Sequence, residues 1–285
     1  MPAVAITLSS YKETDQNLLD GVLEDILPLL VKEGSSLDII IVEKIHSVDY
    51  LDYVLGKLYS GTRETLLAED LYDTPINVLF NQDLSSYVDK KWDLLITDKN
   101  EVVQLPHKEL RKVRLLKEVN EHERQDSSKD DPLYMVSALG GTFDHLHDGH
   151  KILLSAAAFL TVSRLIIGVT DQELLQKKQF REQLEPYETR SGNVRSFLSR
   201  IKPSLKVEIV ALRDVCGPTG AVPEIESLIV SRETVSGGQI VNNARRSKGL
   251  KELKVHVVNV LGGKEEDGWK EKISSTELRR RCSLK

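Results

Sequence analysis

Cysteine is scarce in this chain of 285 residues: Cys216 and Cys282 are the only two, far apart and without the spacing of a metal site. A disulfide framework is not expected, and a reducing compartment fits. Long apolar runs are missing too. No stretch of about 18 apolar residues occurs, so no segment is expected to span a membrane. The opening Met1-Pro2-Ala3-Val4-Ala5-Ile6 lacks the basic start and cleavage pattern of a secretory signal, which points to the cytoplasm, with the nucleus also compatible. There is no Gly-x-x-x-x-Gly-Lys-Ser/Thr phosphate loop. With no long basic stripe and a net charge of −5, general nucleic-acid binding is not expected either.

What is present suits a soluble globular protein, with 40% apolar and 29% charged residues. The length leads us to expect two domains. Charge is shared unevenly between them. Residues 1–131 carry 15 Lys+Arg against 26 Asp+Glu, a balance of −11, whereas residues 132–285 carry 24 against 18, a balance of +6. A basic half suits small anionic ligands. Residues 121–131 contain no apolar side chain and are followed by Pro132, so we read a charged linker between a domain over 1–120 and another over 132–285.

Both halves alternate strand and helix patterns. In the first, Val4-Ala5-Ile6-Thr7-Leu8, Leu37-Asp38-Ile39-Ile40-Ile41-Val42, Ile76-Asn77-Val78-Leu79-Phe80 and Trp92-Asp93-Leu94-Leu95-Ile96-Thr97 read as strands. Leu18, Leu19, Val22, Leu23, Ile26 and Leu27 recur at helical spacing until Pro28, and Leu110 to Leu116 reads as a further helix. This predicts a small α/β domain, and no catalytic constellation stands out in it. In the second half, five strand patterns begin near Tyr134, Arg164, Lys206, Ser227 and Val255, with helical patterns between them. The fold class we expect is α/β: a Rossmann-like doubly wound parallel sheet, preceded by the smaller α/β domain, with the ligand at the C-terminal edge of the strands.

The strongest chemical signal is Gly140-Gly141-Thr142-Phe143-Asp144-His145-Leu146-His147-Asp148-Gly149-His150, between a strand and an Ala- and Leu-rich helix. Glycines permit close backbone approach, and a helix N-terminus offers unpaired N–H groups, so the turn is a ready anion site. His147 and His150, three residues apart, could face one phosphate and add positive charge, with Gly149 making room. Two other readings stay open: a metal held by His145, His147 and His150, and an ordinary turn capped by Asp144 and Asp148.

The second signal is Ile273-Ser274-Ser275-Thr276-Glu277-Leu278-Arg279, three hydroxyls opening a helix. They could grip phosphate oxygens, with Arg279 on the same face as Ser275 and Thr276. The stretch is equally a capping box, Ser274 with Glu277. Lys177-Lys178, Arg181, Arg190, Arg245 and Arg246 read as surface charge.

Taken together, these two signals resemble the nucleotidyltransferase superfamily. Within it the chain is most similar to the eukaryotic type of phosphopantetheine adenylyltransferase, which also forms part of coenzyme A synthase. The stretches that carry this likeness are Gly168-Val169-Thr170-Asp171 through Leu174-Leu175-Gln176-Lys177-Lys178, and Val230-Ser231-Arg232-Glu233-Thr234 through Gly237-Gly238, Val241-Asn242 and Gly249-Leu250. It covers 132–285 and not the acidic first half.

The resemblance implies transfer of AMP from ATP to 4′-phosphopantetheine, yielding dephospho-coenzyme A and pyrophosphate, with Mg²⁺ accompanying ATP. By the same resemblance His147 and His150 would hold ATP phosphates and the transition state, Lys177 or Lys178 would bridge the reacting groups, and Thr142 would position the acceptor phosphate. Gly141, Phe143, Asp144, Gly149, Ser231, Thr234, Ile273, Ser274, Ser275 and Thr276 complete the expected nucleotide site. Bacterial relatives carry arginines after the fourth strand, where Ser231-Arg232-Glu233-Thr234 stands here, so Arg245 or Arg279 is expected to make that anion contact. No metal site of the protein's own is implied. Without a phosphate loop the kinase of the fused synthases is not expected here, and the chain reads as monofunctional.

The alternatives are a cytidylyltransferase, a nicotinamide-mononucleotide adenylyltransferase, or a non-catalytic nucleotide-binding scaffold. Cytidylyltransferases usually place Arg-Thr-Glu-Gly where Lys270-Glu271-Lys272 stands, and the Lys-Met-Ser-Lys-Ser loop of aminoacyl-tRNA synthetases is missing. A complex with other coenzyme A enzymes, through the acidic half, is the expected partner role.

Overall fold

The computed structural model describes residues 2–81, 90–117, 133–176, 178–259 and 274–284. The chain divides into two compact units, Met1–Asp130 and Asp131–Lys285. The charged stretch 121–131, the polar loop 262–272, Lys177 and Ile273 lie outside the described residues.

The first unit is built on strands β1 (Ala3–Leu8), β2 (Ser36–Ile41), β3 (Ile76–Leu79), β4 (Trp92–Asp98) and β5 (His107–Val113). They form one sheet in the order β3-β2-β1-β4-β5, with every neighbour parallel. Strands β1 to β4 are almost wholly buried and read as near-continuous apolar runs, as parallel strands covered on both faces do. Helices α1 (Gln16–Leu30) and α2 (Val48–Ala68) supply the first two crossovers. Pro28 lies inside α1, close to its end, where the missing N–H and the ring cost only the last turn. The helix expected over 110–116 is instead mostly strand β5. Leu110 and Val113 mimic helical spacing, but the free edge of β4 captures the segment, pairing Trp92 with His107 and Asp98 with Val113. Its exposed Lys108, Glu109 and Leu110 mark an edge strand blunted by charge.

The second unit has strands β6 (Tyr134–Gly141), β7 (Thr161–Thr170), β8 (Lys206–Leu212), β9 (Ser227–Ser231) and β10 (Lys254–Val258), again all parallel, in the order β10-β9-β6-β7-β8. Helix α3 (Asp148–Leu160) joins β6 to β7, α4 (Tyr187–Ile201) joins β7 to β8, and α5 (Val235–Ser247) joins β9 to β10. Helix α6 (Ser275–Cys282) follows. The chain builds outward from β6 to one edge, then returns to its other side. Right-handed crossovers therefore put α3 and α4 on one face and α5 on the other. Under α5, Val241 joins Ala138, Ile166, Leu228 and Val230 in a buried cluster.

The reversal falls between β6 and β9, which pair only from Ser137–Ser227 to Leu139–Ile229. Beyond that, Gly140 and Gly141 pair with β7 alone. The two strands thus part at their C-terminal ends, and that parting is the crevice where a doubly wound sheet binds its ligand.

Candidate active site

The turn leaving β6 is crowded. A Cβ on Gly141 would lie 3.0 to 3.3 Å from three atoms of the Phe143 ring, so any side chain there would force the buried ring to give by a few tenths of an ångström. Phe143 and His145 adopt left-handed φ angles of 52° and 45°, which non-glycine residues hold only where the surroundings enforce them. Several groups enforce them here. Asp144 is fully buried; its Oδ1 accepts from the Glu185 backbone N–H at 2.9 Å and its Oδ2 accepts from Arg279 Nη1 at 2.6 Å. His145 donates its N–H to Glu185 Oε2 at 2.7 Å, and its Nε2 lies 2.9 Å from the Gln183 carbonyl oxygen.

The two central histidines follow. His147 occupies the N-cap of α3, yet its side chain makes no capping bond. Its Nε2 lies 3.2 Å from Ser275 Oγ instead, and Ser275 Oγ donates to the Asp144 carbonyl oxygen at 2.9 Å. The rings of His147 and His150 stack with centroids 3.9 Å apart, and Phe143 backs His150 at 5.3 Å. Burial pushes the His147 pKa down to about 4, against the pull of the Asp148 and Asp144 carboxylates. Burial, then the neighbouring His147 and Lys178, hold His150 well below the ordinary imidazole range. Both rings are therefore neutral near pH 7, which corrects the expectation that they bring positive charge. A neutral imidazole still offers one N–H donor and one acceptor, and His150 Nδ1 is buried with no hydrogen-bond partner among the described residues.

Helix α6 closes one side. Ser274 caps it, accepting from the Glu277 N–H at 3.3 Å. Arg279 does share a face with Thr276, donating from Nη2 to Oγ1 at 3.1 Å. The Arg279 guanidinium, however, turns into the protein, while Thr276 stays exposed. Arg279 is 2% exposed and also donates to Asp144 and, from Nε, to the Gln179 carbonyl at 2.9 Å. The expected contact of Arg279 with a ligand phosphate is thus replaced by a clamp on the turn. Arg245 is corrected in the same way. It is fully buried in α5 and donates to the carbonyls of Lys251, Thr219, Val222 and Pro223, so its guanidinium is committed to backbone carbonyls. Phe143, also expected at the ligand, is fully buried behind His150. Asp144, expected there too, has both carboxylate oxygens bound by the protein.

Of the other expected residues, those described stand on the turns that follow β6, β7 and β9 and at the start of α6. Thr142 is half-buried at the turn, and Gly149 lies in the first turn of α3. Ser231 ends β9 across the parted strands, and its N–H and hydroxyl both meet the Thr234 hydroxyl at 3.1 Å in a reciprocal cap. Lys178 is exposed and close enough for its charge to act on His150.

Sequence reasoning missed Arg190 and Glu185. Arg190 is 1% exposed and donates from Nη1 to the Thr142 carbonyl at 2.7 Å and from Nε to the Glu185 carbonyl at 3.0 Å. A signal did exist. Arg190 lies four, seven and eight residues before Val194, Phe197 and Leu198, on the buried stripe of α4. A charged residue at such a position is buried with partners, not solvated.

A cytidylyltransferase-like family model matches residues 138–281. The chain is 48% identical over 270 residues to the phosphopantetheine adenylyltransferase of Saccharomyces cerevisiae, which covers 92% of this chain and 88% of that protein. An uncharacterised Schizosaccharomyces pombe protein is 36% identical over 253 residues, 82% of this chain and 80% of that one. The phosphopantetheine adenylyltransferase of Pyrobaculum aerophilum is 35% identical over 143 residues, 50% of this chain but 88% of the archaeal protein.

Proposed function

The chain belongs to the cytidylyltransferase-like family and, within it, to the phosphopantetheine adenylyltransferases, and we propose that it transfers AMP from ATP to 4′-phosphopantetheine at the turn between β6 and α3. One observation carries the reading: the stacked, neutral His147–His150 pair sits at the N-terminus of α3, beside parted strands, with the α6 hydroxyl of Ser275 on His147. A phosphate monoester has a second pKa near 6, so the acceptor arrives mostly as a dianion and needs no general base. What the site must do is align it with the α-phosphorus of ATP and meet the charge that develops. His147 and His150 donate to the phosphates as neutral imidazoles, each through one ring N–H. Thr142 holds the acceptor phosphate, Lys178 (or Lys177 beside it) spans the reacting groups, and Gly149 makes room. Ser274, Ser275 and Thr276 receive the triphosphate, while Ser231 and Thr234 line the opposite wall.

Mg²⁺ enters as the partner of ATP. Among the described residues no group of three or more His, Cys, Asp and Glu side chains could hold a metal, and the Asp144 carboxylate is already bound on both oxygens. The donor set is not that of a protein cage; an ion carried mainly by phosphates and water suits Mg²⁺. No helix among the described residues is long and apolar enough to cross a membrane. A cytoplasmic enzyme, with the nucleus as a second location, is the reading we adopt. The acidic first unit acts in partner docking or packing, with other coenzyme A enzymes as the candidates.

The deciding experiment is pyrophosphate release from ATP with 4′-phosphopantetheine, choline phosphate or nicotinamide mononucleotide as acceptor. Stimulation by phosphopantetheine alone is expected. Turnover with either other acceptor, or with none, would sink the reading. For the first unit, fully active 130–285 that keeps every partner of the whole chain would end the docking role.

A further inference from the structure

Four consecutive residues, Thr142 to His145, form the turn that leads into the site, and two of them hold left-handed backbone. Segment 183–185 and the start of α4 secure this turn. Arg190 bridges the Thr142 carbonyl and the Glu185 carbonyl, while Glu185 takes the His145 N–H on its carboxylate and gives its own N–H to Asp144. Tyr187 lies beside the guanidinium, its ring 5.8 Å from Cζ. A planar guanidinium fits this task because its donors point in fixed directions at two carbonyls at once; a lysine ammonium is a single point charge on a flexible stem.

We infer that Arg190 is a positioning residue for the acceptor: by holding the Thr142 peptide, and the His145 peptide through Glu185, it sets where the Thr142 hydroxyl and N–H face. The inference rests on the proposed role of Thr142 at the acceptor phosphate. It predicts a selective effect. Helix α6 secures the same turn two residues further on, at Asp144, through Arg279 and Ser275, whereas Arg190 holds the Thr142 carbonyl directly, so loss of Arg190 disturbs the acceptor first.

The test uses the whole chain with Arg190→Lys, Arg190→Gln and Thr142→Ala, measuring KM for ATP and for 4′-phosphopantetheine separately by pyrophosphate release. KM is independent of how much enzyme is folded, so a merely structural role would lower the maximal rate and leave both constants in place. We expect both Arg190 variants to raise the acceptor KM about 10-fold or more, with the ATP KM held within about 3-fold. An unchanged acceptor KM in both Arg190 variants, while Thr142→Ala raises it, overturns the inference. A rise in the Arg190 variants without one in Thr142→Ala removes Thr142 from the acceptor site and keeps Arg190 in control of the turn. No rise in any of the three overturns both.

Discussion

The two units share a strand order and differ at the point where that order reverses. In each, the two central strands pair over only three positions: Val4–Leu94 to Ile6–Ile96 in the first, Ser137–Ser227 to Leu139–Ile229 in the second. Each pair then parts. In the first unit the parting is filled from within. Thr7 Oγ1 donates to Glu101 Oε2 at 2.8 Å, and the Asp98 carboxylate takes the N–H groups of Leu115 and Leu116. Thr14 bridges Leu116 across the entrance to α1, and Asp15 accepts from the first N–H groups of that helix. An acid thus stands where a ligand phosphate would bind. In the second unit the corresponding turn is rich in glycine and histidine, and the N-cap side chain of α3, His147, makes no capping bond. One topology therefore yields a closed scaffold and an open site, and the difference lies in a few loop residues.

The largest effect that probes this comparison comes from the buried carboxylates. Each unit hides one completely: Asp38, which accepts from Asn77, Lys90 and Trp92, and Asp144 on Arg279. Removing one partner of a buried pair strands the other, at a cost of about 3–5 kcal/mol. Asp144→Ala should lower the melting transition of the second unit by roughly 10 °C and leave the first in place, and Asp38→Ala should do the reverse. A single transition that moves equally in both variants would show that the units do not melt independently.

Next is His150→Ala, expected to lower kcat by about 10²-fold or more, the effect of losing one preorganised donor to the transition state. Near-normal kcat would take His150 out of the chemistry and leave the open site without its main distinction.

The pH response separates the units more gently. The folded pKa of His147, about 4, lies below the ordinary 6.5, so the unfolded chain binds the extra proton first. Stability from this group is complete above pH 6.5 and is lost as pH falls toward 4, about 2 kcal/mol by pH 4.5. His150 acts in the same direction. Calorimetry of His147→Gln should show a second-unit transition less sensitive to acid than the parent's; equal sensitivity would place the acid response elsewhere.

The smallest effect is Asp15→Ala, which should cost about 1 kcal/mol as a lost N-cap and leave kcat and both KM values unchanged. A changed KM would mean that the closed unit takes part in catalysis after all.

Much of this is legible in the order of the residues alone. Nine of the ten described strands follow from apolar or alternating runs: the inner ones are covered on both faces and so apolar almost throughout, and the edges β8 and β10 alternate apolar with polar residues. Strand β5 escaped since an edge strand is half solvated and its Leu110–Val113 spacing imitates a helix. The glycine–histidine turn and the Ser-Ser-Thr helix were also legible, being dense local clusters of polar groups beside buried elements. The arginines were not. Arg190, Arg245 and Arg279 read as surface or as anion contacts, and all three are buried on carbonyls and a carboxylate. Arg63 in the first unit behaves alike, holding the carbonyls of Leu71, Tyr72 and Thr74.

The reason is one of range. Strand and helix patterns are written in separations of two to four residues, and a cap or a histidine pair is equally local, so residue order alone defines the alternating α/β plan and marks the turn after β6. Which charge faces a ligand and which secures the turn depends on partners such as Asp144 and Arg279, 135 residues apart. Packing of α4 and α6 around that turn makes the choice, since a charge enclosed there must find hydrogen bonds within the protein.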